Sequence, residues 1–500
     1  MNRRSISCFN FLLLISGTAL ILSAVGSFFL SEYMVQNKIH ENVVIKNGSD
    51  AYKFWLDPPA TIYRKYYLFD VRNPLEVEKG EKPQLVQMGP YTYSEVWEKR
   101  HIEFLGPDVI RFTPVVTLHF EPSLSNGSES DTLTFLNIPA VGMIEQTVRS
   151  RFKELGPTLV NTLLAFLNTK LFVTKTAGEL ISGYNDPLMK LAKTFMPQVI
   201  KDEKFSLING KNATEWQNYT MMTGNDYASN VAKIIAWNGL EKLNFWESES
   251  ANLINGTDGT FYPPFLNRKT RLYSFNPDMC RSYYLTYLKD SVINGVHTYD
   301  FHLPKDAFYN STLNPDNDGF CTNCLGNGVL NISNCYGGVS GFISQPHFLN
   351  ADEKFVNAVK GLKPDNNLHD FVIHFEPTTS VPLGGNIRLQ VSFYMPQNDK
   401  INLVKKVKPV LFPVVWFDET LALNSDTAAQ LKKVAFYMKL VNIIPIVMAT
   451  LGGFILALSA FYIFKEFSTK KAQKNLRLEN AERMNESSRL VDKADQKVYS

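Results

Sequence analysis

Two long apolar runs, one near each end of the chain, constrain this protein more than anything between them. Phe9 to Leu30 and Leu440 to Phe464 each supply the ~20 residues that cross a ~30 Å hydrocarbon layer at ~1.5 Å per residue. Membrane spans are therefore expected over residues 9–31 and 440–464. The first run competes with a cleavable signal peptide, because Arg3 and Arg4 precede it and Ala24-Val25-Gly26 offers small residues to a protease. Its length, beyond the ~7–15 residues of a signal core, favours a retained anchor. Charge sets the orientation. Arg3 and Arg4 lead the first span, and Lys465, Lys470, Lys471, Lys474 and Arg477 follow the second, which puts residues 1–8 and 465–500 in the cytosol and 32–439 outside it.

Glycosylation triplets bear on the same topology. Asn47, Asn126, Asn212, Asn218, Asn255, Asn310 and Asn331 each begin an Asn-x-Ser/Thr triplet without proline, and all fall in the exoplasmic part. Asn485 begins another, but in the cytosolic tail, where it stays bare. With Cys8 at the cytosolic membrane edge, Cys280, Cys321, Cys324 and Cys335 form an even set in an oxidising compartment, so two disulfides are expected. Cys321-x2-Cys324 looks like half a zinc site, yet neither Cys335 nor His347 completes a usual spacing, and oxidation is favoured over metal.

Between the spans the chain has the means to fold almost throughout, with 45% apolar and 13% aromatic residues. The net charge of +3 is spread along it, without the basic stripe that releases phosphate counterions, which excludes nucleic acid as a partner. Period-two alternation marks strands at Ile110, Phe112, Val116, Leu118 and Phe120, at Phe371, Ile373 and Phe375, and at Ile387, Leu389, Val391 and Phe393. From residues 141 to 196 the period changes: Leu159, Leu163, Phe166 and Leu167 recur at helical spacing, with Pro157 and Pro187 near helix starts. One sheet system built from distant segments, with a helical insertion at one end, is the simplest arrangement.

Small residues at every fourth position, Ala19, Ser23 and Ser27 in the first span and Ala449, Gly453 and Ala457 in the second, give faces through which the spans could pair or self-associate into a homo-oligomer. The charged tail is expected to be disordered or transiently helical, and Glu486 four places before Leu490-Val491 resembles an acidic dileucine sorting signal.

No catalytic constellation stands out. Gly338-Val339-Ser340-Gly341-Phe342 lacks the last glycine of a nucleophile elbow. No phosphate loop or His-Glu-x-x-His is present. The eight histidines are scattered, and His297, His302, His369 and His374 fit ordinary hydrogen bonding better than metal. A non-enzyme without cofactor or metal is the expectation.

Ordered motifs then run through most of the chain. They begin with Val71-Arg72-Asn73-Pro74-Leu75-Glu76-Val77, Gly89-Pro90-Tyr91-Thr92-Tyr93, Gly183-Tyr184-Asn185-Asp186-Pro187 and Trp237-Asn238-Gly239. They continue with Asn255-Gly256-Thr257-Asp258-Gly259, Cys280-Arg281-Ser282, Pro346-His347-Phe348 and Pro413-Val414-Val415-Trp416-Phe417. In this the chain resembles the class B scavenger receptor family, which includes fatty acid translocase, the high-density lipoprotein receptor and the lysosomal integral membrane protein. The resemblance implies an α+β fold: an irregular antiparallel β-barrel ectodomain with an apolar tunnel and an apical helical bundle near 141–196, anchored by two transmembrane helices. It also implies the pairings Cys280 with Cys335 and Cys321 with Cys324.

By the same resemblance, Arg149, Arg151, Lys153, Phe166, Lys170 and Lys175 belong to a ligand-binding apex. The chain departs from the fatty-acid-binding type in holding Phe166 and Asn168 where apical lysines stand, and from the lysosomal type in having no histidine between His119 and His297. The function implied is a receptor for lipids, lipoprotein particles or polyanionic ligands that passes sterols, esters or fatty acyl species through the tunnel, at the plasma membrane or in endolysosomes. The alternative is an endolysosomal sorting receptor with a protein cargo such as a hydrolase. A two-span channel would share the topology but not the motifs.

Overall fold

The computed structural model describes residues 3–58, 60–149, 155–195, 197, 200, 202–208, 210–321, 324–336, 338, 341–423 and 425–498. They form two units, one of Met1–Lys38 with Lys433–Ser500 and one of Ile39–Lys432.

In the larger unit, β-branched and aromatic segments pair into one long antiparallel sheet. Its spatial order is Leu272–Asn276, Arg281–Ile293, Val296–His302, Val372–Phe375, Pro382–Met395, Val410–Leu423, Ala60–Val71, Leu85–Phe104, Val109–Phe120, Tyr219–Met222 and Ile234–Trp237. Val329–Asn331 and Phe342–Ser344 add a short hairpin against Pro382–Met395. The two ends of this series meet through Gly256 and Thr257. Ile234 donates to the Gly256 carbonyl at 2.9 Å, Thr257 donates to Tyr273 at 3.2 Å, and Phe275 donates to Thr257 at 2.9 Å. The sheet is thereby nearly closed into a barrel, and both edges lose the unpaired amides that would otherwise be open to other strands.

Three apolar cores fill the unit, a small one around Phe342, Phe348 and Phe355 and two large ones, and the strand Val109–Phe120 serves both large ones. Ile110 and Phe112 join a core with Phe301, Phe371, Phe375 and Leu389, while Leu118 and Phe120 pack on a second with Leu68, Tyr91, Phe135 and Phe412. The alternation at Ile387, Leu389, Val391 and Phe393 is half the story. Gln390 and Ser392, on the opposite side of that strand, are buried as well, because the segment after Ser344 covers it.

The block from 141 to 196 is less uniformly helical than its periodicity suggests. Helices Ile138–Arg149, Gly156–Phe166, Ala177–Ser182 and Pro187–Phe195 are interrupted by the strand Phe172–Thr176, which pairs with Thr132–Leu136. Pro157 lies in the first turn of its helix, where the missing amide costs nothing. Thr176 and Glu179 cap Ala177–Ser182 reciprocally.

In the smaller unit the apolar runs lie inside longer helices, Arg3–Val43 and Ser425–Val498, which contain the two segments long and apolar enough to cross a membrane. The seam between them corrects the sequence expectation. Ala19, Ser23, Ala449, Gly453 and Ala457 are exposed and Ser27 alone of the two stripes is half-buried, against Met448, whereas Asn10, Gly17 and Ala24 on one helix and Pro445, Gly452 and Ser459 on the other are buried. These recur every seventh residue, the period that keeps one face on an antiparallel neighbour, rather than every fourth. Backbones approach closely here: a side chain added at Gly17 would begin 3.1 Å from the Gly452 carbonyl, and one at Gly452 would begin 3.0 Å from that of Gly17.

The tail also differs from expectation, continuing the second helix to Val498. It contains no proline or glycine, and Glu466–Lys470 at 2.7 Å and Glu479–Arg483 at 3.1 Å are helical i,i+4 pairs.

Two substitutions test these features. Gly256 has a φ of +90°, and a Cβ there would fall 2.0 Å from the Tyr273 carbonyl oxygen. Gly256→Ala is expected to cost at least ~1–3 kcal/mol, the usual range for overpacking, read as a lowered midpoint of thermal unfolding. Gly17→Leu or Gly452→Leu is expected to abolish disulfide crosslinking in a Ser27→Cys, Met448→Cys background, where the native side chains lie 3.9 Å apart. Gly453→Leu, with open space around it, is expected to leave it intact.

Candidate functional site: a charged cluster inside the barrel

Strand register decides which side chains face inward. Arg64 is directly opposite Glu419, Glu419 opposite Ile387, and Phe417 opposite Leu389, so these residues share the face that carries the first apolar core, and Tyr66, opposite Phe417, carries that face into the second. On that face Arg64 Nε lies 2.6 Å from Glu95 and its Nη2 lies 2.8 Å from Glu419. Burial lowers the guanidinium's proton affinity, but Glu95 and Glu419 outweigh it and hold Arg64 well above its ordinary value. Glu419 is pushed up to about 7, first by burial and then by Glu95, with Arg64 offsetting only part. Burial, with a further contribution from Glu95, raises Tyr66 to about 12.

A second ion pair joins this cluster from the loops. Lys211 binds Asp278, lies 3.4 Å from the Tyr336 hydroxyl, and stands 4.0 Å over the ring of Trp216. Burial opposes both charges, yet each holds the other ionised, so Lys211 is raised and Asp278 lowered. Asp278 also feels Arg64. Its side chain is 44% exposed, whereas Arg64 and Glu419 retain only 23% and 17%. Partly buried Ile387, Tyr287, Tyr299 and Phe417 pack around the same core.

The other buried titrating pair lies on the opposite face of the sheet. His347 and His369 stack with ring centres 4.4 Å apart beside Trp416. The His347 Nδ1 accepts from Lys363 and the His369 Nδ1 accepts from Asp365, at 3.1 and 3.0 Å, so each ring's remaining nitrogen carries the proton of the neutral form. Burial lowers His347 to about 3, with His369 adding to the shift, and burial lowers His369 to about 4. His374 and His302 face carboxylates, Asp300 at 2.6 Å and Asp370 at 3.6 Å. Among the described residues no group of three or more His, Cys, Asp or Glu side chains could hold a metal ion.

Cys280 and Cys335 are bonded, Cα atoms 6.2 Å apart, and Cys321 and Cys324 are bonded, 5.3 Å apart. Asn47, Asn126, Asn212 and Asn255 are exposed, and Asn218 and Asn310 are half-buried. Asn331 differs: it is 4% exposed within a strand, and its side-chain oxygen accepts from Ser333. A glycan there would have to be attached before that strand folds.

At the helical end, the fold divides the six proposed contacts. Arg149 is paired with Glu145, and Lys175 lies 3.4 Å from Glu179 and 4.4 Å over Tyr184. Lys170 is exposed and Phe166 is 84% exposed, while Arg151 and Lys153 lie outside the described residues. Val339 and Ser340 of the incomplete elbow lie outside them too. In the tail Glu486 is exposed on the helix, and the side chains of Leu490 and Val491 lie outside the description. Sequence reasoning missed both the charged cluster and the histidine pair. The only local signal was a charge such as Arg64 or Glu419 sharing the parity of apolar neighbours in an aromatic strand.

The sequence pattern of the CD36 family matches residues 14–463. The chain belongs to the CD36 family. Scavenger receptor class B member 1 of Cricetulus griseus is 35% identical over 437 residues, covering 86% of this chain and 84% of that protein. Lysosome membrane protein 2 of Rattus norvegicus is 33% identical over 449 residues, covering 89% and 91%, and that of Homo sapiens has the same values. This CD36-family protein is thus an integral membrane protein with a barrel-like ectodomain, similar to both receptor and lysosomal-membrane relatives.

The cluster makes a signed pH prediction. Glu419 binds its proton more tightly folded than the ~4.3 of a free glutamate, so below that value its contribution is fully present, and stability is lost as pH rises from there through about 7. His347 and His369 act the other way, losing stability as pH falls below the ~6.5 of a free imidazole. Glu419→Gln removes only the first effect. Relative to the unsubstituted chain, the variant is expected to gain ~1.4 kcal/mol per pH unit between about 5 and 7, read as a widening gap between thermal-unfolding midpoints. A gap that stays constant would count against the raised carboxyl.

Proposed function

We propose that this protein is a non-catalytic receptor that binds lipid-rich or polyanionic particles at its helical end and passes their lipids through the barrel interior to the membrane. The observation that carries this reading is a nearly closed sheet whose inward face joins a large apolar core to a cluster of charges around Arg64 and Glu419. Such an interior can take an acyl chain or sterol by the hydrophobic effect, ~0.8 kcal/mol for each methylene removed from water, and net flow then follows the gradient. The helical end adds exposed apolar surface: Leu155, Leu159 and Phe166 are 71%, 70% and 84% exposed, with Lys170 nearby in sequence. Retention of both spans, with both termini cytosolic, belongs to the same proposal, as does residence at the plasma membrane.

A second reading draws on the Lysosome membrane protein 2 relatives, of which the chain covers 91%. In it the protein is an endolysosomal sorting receptor for a protein cargo, routed by Glu486, Leu490 and Val491.

Ile387→Trp places bulk on the inward face beside Glu419. Uptake of labelled lipid from a bound particle is expected to fall at least tenfold while particle binding at the cell surface stays within twofold. Equal loss of binding and uptake, or uptake unchanged, would overturn the conduit and leave the cargo-receptor reading.

A further inference from the structure

The outer wall of the barrel carries a cavity of about 650 Å³, lined among others by Arg111, Thr113, Asn218, Ile235, Asn238 and Glu241. Its volume falls within the ~300–1,000 Å³ of small-ligand sites. Its lining combines the two things a sugar needs. Arg111 supplies donors, Glu241 acceptors, and Thr113 and Asn238 both, while Ile235, 36% exposed, and Ala236 offer an apolar floor for a pyranose face. Arg111 also meets Glu103 at 3.4 Å, a surface pair that leaves other guanidinium N–H groups available.

The sugar has a source in the wall itself. Asn218 begins Asn218-Tyr219-Thr220, and Thr220 lines the same cavity. The attachment point is fixed. The Asn218 amide donates to the Asn238 side-chain oxygen at 2.8 Å, the Asn238 amide donates back to the Asn218 carbonyl at 2.9 Å, and Tyr219 is buried between the two triplet ends. In three other triplets the asparagine oxygen, not the Nδ2 to which a sugar attaches, accepts from the backbone: Asn212 from Leu118, Asn310 from Thr312, and Asn331 from Ser333.

We propose that this cavity is the seat of the protein's own Asn218-linked glycan, whose first sugars lie on Ile235 and Ala236 and bond to Arg111, Asn238 and Glu241. The covalent tether makes seating intramolecular, at the millimolar effective concentrations of a short linker, so weak sugar contacts suffice. A seated glycan covers Ile235 on the strand Ile234–Trp237, which enters the barrel closure, and so braces that closure from outside. The inference requires only that this face be exoplasmic and is independent of lipid transfer.

The test is native-state deglycosylation of the full chain from secretory-pathway cells, with peptide-N-glycosidase and glycopeptide mass spectrometry at each triplet. Asn218 is expected to be occupied, and its glycan released at least tenfold more slowly than that of exposed Asn126. The double substitution Arg111→Ala, Glu241→Ala, with the triplet intact, should bring release at Asn218 to the Asn126 rate. An unoccupied Asn218, release as fast as at Asn126, or protection that survives the double substitution would each overturn the proposal. If the double variant does not fold, the comparison of Asn218 with Asn126 in the unsubstituted chain decides alone.

Discussion

Without Gly256 and Thr257, the backbone amides of Ile234 and Phe275 would sit on opposite free edges of one long sheet. Each unmade backbone hydrogen bond away from water costs free energy on the order of 1–3 kcal/mol, and an open edge also invites pairing with another chain. Two residues in extended contact with both edges remove that liability, and in closing the sheet they give the molecule an inside. The charged side chains of Arg64, Glu95 and Glu419 sit on the inward face that this closure creates.

A barrel interior with charges in it is electrostatically demanding. Burial first and the neighbouring Glu95 second raise Glu419, and Arg64, shared between the two carboxylates, offsets only part, so Glu419 keeps its proton to near neutrality. Lys211 and Asp278 settle their own charges as a pair, close enough for Asp278 to feel Arg64. Outside the same sheet, His347 and His369 stay neutral well below the usual imidazole range. The two sets respond to acid in opposite directions, which tends to level the fold's pH dependence between neutral and endosomal conditions.

Part of this was legible beforehand. The period-two positions Ile373 and Phe375 became a strand in the first core, with Phe371 packed just before it, and the ordered motifs a family whose pattern spans the chain. The face of the anchor helices was not. Both small-residue stripes exist in the sequence, but which one is buried depends on how an antiparallel partner presents Gly452 and Ser459, and local spacing cannot register that. Likewise the triplet at Asn331 reads like the others until the hairpin with Phe342–Ser344 buries it.

By itself, the sequence determined what is encoded within a few turns or strand repeats: two apolar anchors, the sidedness expected of the triplets and cysteines, the alternation of strand segments, and family membership. Tertiary structure alone decided the barrel closure, the Arg64–Glu419 contact across 355 residues of chain, the helix seam, and the cavity beside Asn218. The reason is physical. Propensity and periodicity act between neighbours along the chain, whereas ion pairs, burial and closure depend on groups that only folding brings within a few ångströms of one another.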